Sequence, residues 1–121
     1  MDYFLAAVAG LHLLFMVAEL LPWRLPMALK AASKPLHPEA RFTEDQLKLV
    51  SMIVHNAGIY NGIVAGGLLW AAFPTNNGYD VARVMLIGAI VAGIFGTITL
   101  KSWPTALQAV AGIICLFRIW V

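Results

Sequence analysis

The chain reads as an all-α membrane protein, with four transmembrane helices in an antiparallel bundle and one long cytoplasmic loop between helices 1 and 2. Three observations predict this. Four apolar runs, near residues 3 to 22, 49 to 73, 81 to 100 and 104 to 121, take up most of the 121 residues. The composition is 61% hydrophobic and only 12% charged, well beyond a soluble domain. A hydrocarbon core of about 30 Å needs about 20 helical residues at 1.5 Å each, and the runs meet or approach that length. A single integral membrane domain over 1 to 121 is expected, with helices near 2 to 22, 44 to 73, 80 to 101 and 104 to 121.

The first run follows Asp2 instead of a basic segment, and no small-x-small cleavage site precedes Pro22-Trp23. It therefore reads as a retained helix and not as a signal peptide. Pro22, Pro26, Pro35 and Pro38 then forbid a continuous helix through the first loop. Thr43-Glu44-Asp45-Gln46 has the pattern of a capping box, which places the start of the second helix near Glu44. Pro74-Thr75-Asn76-Asn77-Gly78 is an outer turn. Ser102-Trp103-Pro104 is a tight inner turn, with Pro104 in the first turn of the last helix, where a missing N–H is harmless.

Charge placement orients the bundle. Arg24, Lys30, Lys34, Arg41, Lys48 and Lys101 fall on one side, whereas Arg83 and Arg118 fall on the other. Such a six-to-two bias puts loops 1 and 3 in the cytoplasm and both termini outside, in a multi-pass protein. The lipid bilayer is thus the first partner. A net charge of +2 gives no reason to expect nucleic acid. The single Cys115 can form no intramolecular disulfide or cysteine metal site, and no metal or cofactor is indicated. Gly58, Gly62 and Gly66, like Gly88, Ala92 and Gly96, recur every four residues. Ridges of this kind let helices approach closely within the bundle or form a homo-oligomer seam.

The chemistry sits in the polar residues of the apolar runs. Glu19 and His12 share one stripe of helix 1, and an ionisable group at membrane depth is costly unless paired or hydrated. Helix 2 carries His55, Asn56, Tyr60 and Asn61. Measured from the cytoplasmic end, Glu19 lies about 6 Å deep, His12 about 16 Å, and His55 and Asn56 about 10 to 14 Å. Thr97 and Gln108 offer hydrogen-bonding groups at similar depths on helices 3 and 4, and Trp23 closes the helix-1 stripe. Glu19, His12, His55 and Tyr60 are the candidate catalytic groups. Asn56, Asn61, Trp23, Thr97 and Gln108 are the candidate ligand-binding groups. Each also has a plainer reading: Glu19 can pair with Arg24 at the interface, and the amides can simply hold helices together.

The segments His12-Leu13-Leu14-Phe15-Met16-Val17-Ala18-Glu19, Asn56-Ala57-Gly58-Ile59-Tyr60-Asn61-Gly62, Ala65-Gly66-Gly67-Leu68-Leu69-Trp70 and Ile90-Val91-Ala92-Gly93-Ile94-Phe95-Gly96 together resemble a family of small bacterial integral membrane proteins, the domain of unknown function 1304. The resemblance covers nearly the whole chain. It implies a four-helix inner-membrane protein and no defined reaction.

Three functional classes follow from the residues. The first is a buried Glu/His/Asn/Tyr site that binds or transforms a small lipophilic molecule by acid–base chemistry. The second is a small proton-coupled transporter using Glu19. The third is an accessory subunit of a larger membrane complex. An arginine-bearing helix-2 pattern of the membrane-associated eicosanoid and glutathione enzymes is absent, since Met52 and Ile59 stand in the corresponding places.

Overall fold

The computed structural model describes residues 1–21 and 43–121, and the reading of Trp23, Arg24 and the first loop lies outside them. Four helices make up the described chain: α1 (Tyr3–Leu20), α2 (Glu44–Ala72), α3 (Gly78–Leu100) and α4 (Trp103–Trp120). All four are long and apolar enough to cross a membrane. The protein is therefore all-α and multi-pass.

Local chemistry starts and stops the helices. Asp2 caps α1 by accepting from the amides of Phe4 and Leu5, at 3.0 and 3.3 Å. At α2 the capping box is complete: the Gln46 amide donates to Thr43 Oγ1 at 3.3 Å, and the Thr43 amide donates to Gln46 Oε1 at 2.9 Å. Two non-glycine residues, Asn77 (φ 62°) and Lys101 (φ 49°), adopt left-handed backbone where the chain turns into α3 and out of it. Asparagine tolerates that conformation well; lysine is strained there.

Packing is the inverse of a soluble core. The buried positions are mostly small, among them Ala9, Ala65, Ala82 and Ala89, while Leu14, Val84, Val91, Phe95 and Ile98 point outward. Lipid is as apolar as leucine, so helices associate through small residues that let backbones meet and leave large side chains for the acyl chains. α1 packs chiefly on α2, and α3 on α4, with α2–α3 and α1–α4 contacts closing the bundle. Leu5, Leu68, Leu86 and Cys115 join all four helices in the half that carries both chain termini.

The glycines do not all serve this packing. A Cβ on Gly62 would come within 2.7 Å of Met16 Sδ, and one on Gly93 within 2.7 Å of the Ala109 backbone nitrogen. Gly58 and Gly96 are similarly tight, against α1 and Thr105. Gly66 and Gly88 face open space, and Ala92 is exposed. On α3 the close-packed row is thus Ala89-Gly93-Gly96 and not Gly88-Ala92-Gly96, a rotation of about 100° for each residue of shift.

Candidate functional site: a histidine–asparagine–glutamate chain

The helix-1 stripe and α2 meet through one amide. Asn61 Nδ2 donates to Glu19 Oε2 at 2.7 Å, and His12 Nδ1 lies 2.8 Å from Asn61 Oδ1. With its NH2 committed to the carboxylate, Asn61 presents only its carbonyl to the histidine, so His12 Nδ1–H is the donor. His12 and Glu19 are seven residues apart, two turns or about 10 Å along α1, and a single amide spans that gap.

The glycines of α2 make the approach possible. Gly58 lies one turn before Asn61, where an added Cβ would be 3.2 Å from Glu19 Cβ and 3.1 Å from Leu20 Cγ. Gly62 directly follows Asn61 and leaves room for Met16, which lies between His12 and Glu19 on α1. A residue too large for Met16 to evade at position 62, or a bulky one at position 58, would push α2 away and stretch both hydrogen bonds.

His12 is fully buried, at 0% exposure, and its ring meets Phe15 edge-on with centroids 6.1 Å apart. Its second nitrogen, Nε2, is buried and has no hydrogen-bond partner among the described residues. In the neutral ring Nε2 is a bare acceptor, since Nδ1 carries the proton. Glu19 is only half-buried. The chain therefore runs from a carboxylate near the long-loop end to a wholly enclosed imidazole near the middle of the span.

Other candidates lie elsewhere. Asn56 and Tyr60 point outward from α2, Tyr60 with 69% of its surface exposed. His55 is half-buried, and its Nε2 also lacks a partner among the described residues. Thr97 donates to the Gly93 carbonyl at 2.7 Å and touches Thr105 at 3.2 Å. Gln108 Nε2 donates to the Ala89 carbonyl at 3.1 Å. The last two residues thus belong to the α3–α4 contact and do not reach the chain on α1 and α2. Trp23 lies outside the described residues. Among the described residues no three His, Cys, Asp or Glu side chains are grouped to hold a metal ion.

A second polar cluster, which the sequence reading missed, lies at the opposite end. Arg118 Nη1 donates to both Asp2 oxygens, at 2.9 and 3.0 Å, and Tyr79 OH reaches Asp2 Oδ2 at 3.4 Å. The Asp2 amide donates to the Ala72 carbonyl at 2.6 Å. One residue therefore ties together the ends of all four helices on the side of the two chain termini, beside a cleft of about 480 Å³ that includes Tyr3, Phe73 and Thr75. Burial pushes the Asp2 carboxyl up, but the bonds from Leu5, Arg118 and Phe4 outweigh it and hold its pKa below the ordinary value. Asp2 and Arg118 are 116 positions apart, and no local pattern joins them.

Comparison with known proteins places this architecture. The family model described as protein of unknown function (DUF1304) matches residues 6–120. The chain belongs to that family. It is also similar to the uncharacterized protein YpaA of Lactococcus lactis subsp. lactis (strain IL1403), 34% identical over 50 residues. That match covers 41% of this chain and 42% of the relative, so the chain spans under half the length of the curated relative it matches. No solved structure matches the chain.

Proposed function

We propose that this protein binds, and transfers a proton to or from, a small lipophilic molecule at the Glu19–Asn61–His12 chain. The observation that carries the reading is the fully buried His12, whose Nδ1 is fixed by Asn61 while its Nε2 has no partner among the described residues. A buried nitrogen without a partner in an apolar setting costs on the order of 1–3 kcal/mol. A hydroxyl or amine on a ligand would recover that cost by donating to it. Glu19, joined to the same amide, supplies the second proton-holding group. Orientation belongs to the same proposal: the six-to-two basic bias supports a cytoplasmic long loop and both termini outside the bacterial inner membrane.

Mass spectrometry of solvent extracts from gently purified protein tests the site. The wild type should retain a small molecule in near-stoichiometric amount, and Glu19→Gln and His12→Leu should lose it while staying folded. The same compounds in equal amount from all three proteins would reject the reading. Reporter fusions at residue 121 and inside the first loop test the orientation, which a cytoplasmic C-terminus would overturn.

A proton-coupled transporter is the second reading, favoured by the gradient of access from half-buried Glu19 to enclosed His12. Proteoliposomes under a pH gradient separate the two: a transporter acidifies its lumen with a substrate present, and a binding or catalytic site does not.

A further inference from the structure

We infer that the protein pairs with a second copy of itself through the outward face of α2, the two Asn56 side chains hydrogen-bonding each other across a two-fold axis. Met52, Ile59, Ile63 and Trp70 are each about half exposed or more on this face, and Asn56 and Gly66 are exposed with them. From Met52 through Asn56, Ile59, Ile63 and Gly66 to Trp70 the spacing is 4, 3, 4, 3, 4, an average of 3.6, which keeps one face in line over five turns of helix.

Asn56 distinguishes this face from an ordinary lipid-facing one. The apolar run of α2 continues past it, and Leu49, Met52 and Ile53 are all more than half exposed. Leu49 lies seven residues toward the helix start, about 10 Å away, so Asn56 is inside the apolar band and not at the headgroups. Its amide makes no hydrogen bond to a described side chain or backbone group. In hydrocarbon such a group needs a partner.

The partner that fits is the same chain. An amide both donates and accepts, so it is complementary to itself. Two copies inserted with one topology are related by an axis along the membrane normal, which sets their α2 helices parallel. Asn56 then meets the second copy's Asn56 at equal depth, a single polar pair within an apolar seam that fixes register. Gly66 adds room for close approach: a Cβ there would meet nothing within 4 Å inside its own bundle, unlike Gly58 and Gly62, which are occupied by α1.

The test uses full-length protein in liposomes, in a Cys115→Ala background. Ile59→Cys, on the proposed seam, should form an intermolecular disulfide quickly under mild oxidation. Val91→Cys, outward on α3, should not. Asn56→Leu should weaken dimerisation roughly tenfold, and Asn56→Gln should restore part of it. Should Asn56→Leu fail to fold, the cysteine comparison with Asn56 intact still decides. Equal cross-linking at both sites, none at Ile59→Cys because residues 22 to 42 or a different partner cover it, or an unchanged dimer in Asn56→Leu would each overturn the proposal.

Discussion

The α1–α2 and α3–α4 contacts are built from the same parts, glycines and side-chain amides, and use them differently. In α3–α4 the polar side chains end on backbone: Gln108 on the Ala89 carbonyl and Thr97 on the Gly93 carbonyl. Every such bond is closed within the packing, and the glycines bring backbone against backbone, since a Cβ on Gly93 would sit 2.8 Å from the Thr105 carbonyl oxygen. In α1–α2 the amide of Asn61 joins two ionisable side chains, and the glycines there make room for the side chains of Met16, Glu19 and Leu20. The first contact is structural glue. The second leaves one ring nitrogen open and can respond to a proton, which is why the functional proposal rests on it.

Matched substitutions break the comparison most strongly at the glycines. Gly93→Ala forces a Cβ against backbone atoms of α4 that cannot move separately from the helix, at a cost of about 2–3 kcal/mol. Gly62→Ala meets the far end of Met16, a flexible thioether, and should cost under about 1 kcal/mol. Thermal unfolding in detergent should therefore rank Gly93→Ala well below Gly62→Ala. Gly62→Leu, too large for Met16 to evade, should fall to the level of Gly93→Ala. Equal melting for the two alanine variants would mean that the hairpins pack alike after all.

The amides give the next largest effect. Asn61→Leu strands both His12 Nδ1 and Glu19, at about 1–3 kcal/mol. Gln108→Leu frees only a carbonyl that can still accept from its own helix, and should cost about 1 kcal/mol or less. A double-mutant cycle sharpens the point: Asn61→Leu and Glu19→Gln should be strongly non-additive, whereas Gln108→Leu and Glu19→Gln should add. Additivity in the first pair would deny that the three residues form one unit.

Much of the fold was readable in advance, because span-length apolar runs and the Thr43–Gln46 capping box are local signals. So was the stripe joining His12 and Glu19, which needs only the helical period. The choice among the helix-2 polar residues was harder. Asn56, Tyr60 and Asn61 all lie within six residues, and only the face on which α1 docks separates them. Small neighbours carry that information: Asn61 has Gly58 three residues before it and Ala65 four after it, both buried, whereas Asn56 and Tyr60 flank exposed Ile59 and Ile63. The same cue applies to Gln108, whose companions Ala109 and Gly112 mark a packing face and not a cavity. Gly66 and Gly88 mislead for the opposite reason, since the four-residue period alone does not say which way a ridge turns. The Asp2–Arg118 pair had no cue of any kind, being set by the way four helix ends converge.

That tie at the end of the termini supplies the smallest effect and separates the two hairpins in a different manner. Asp2 belongs to α1, and Arg118 and Tyr79 belong to α4 and α3, so their bonds hold one hairpin to the other without entering either helix contact. The folded pKa of Asp2 lies below its ordinary value of about 3.8, so its contribution is complete above that value and fades as pH falls through the folded pKa. Arg118 is nearly half exposed, which limits the pair to about 1 kcal/mol or less. Melting temperature should be flat from pH 7 to about 5 with respect to this group and decline below about 4. Asp2→Asn should remove that part of the decline, whereas Asp80→Asn, which breaks only the exposed Asp80–Arg83 pair at 2.7 Å within α3, should leave it. If Asp2→Asn instead melts in acid as the wild type does, the acid response arises elsewhere, and the four helix ends are held by the apolar cluster of Leu5, Leu68, Leu86 and Cys115 without help from the charge.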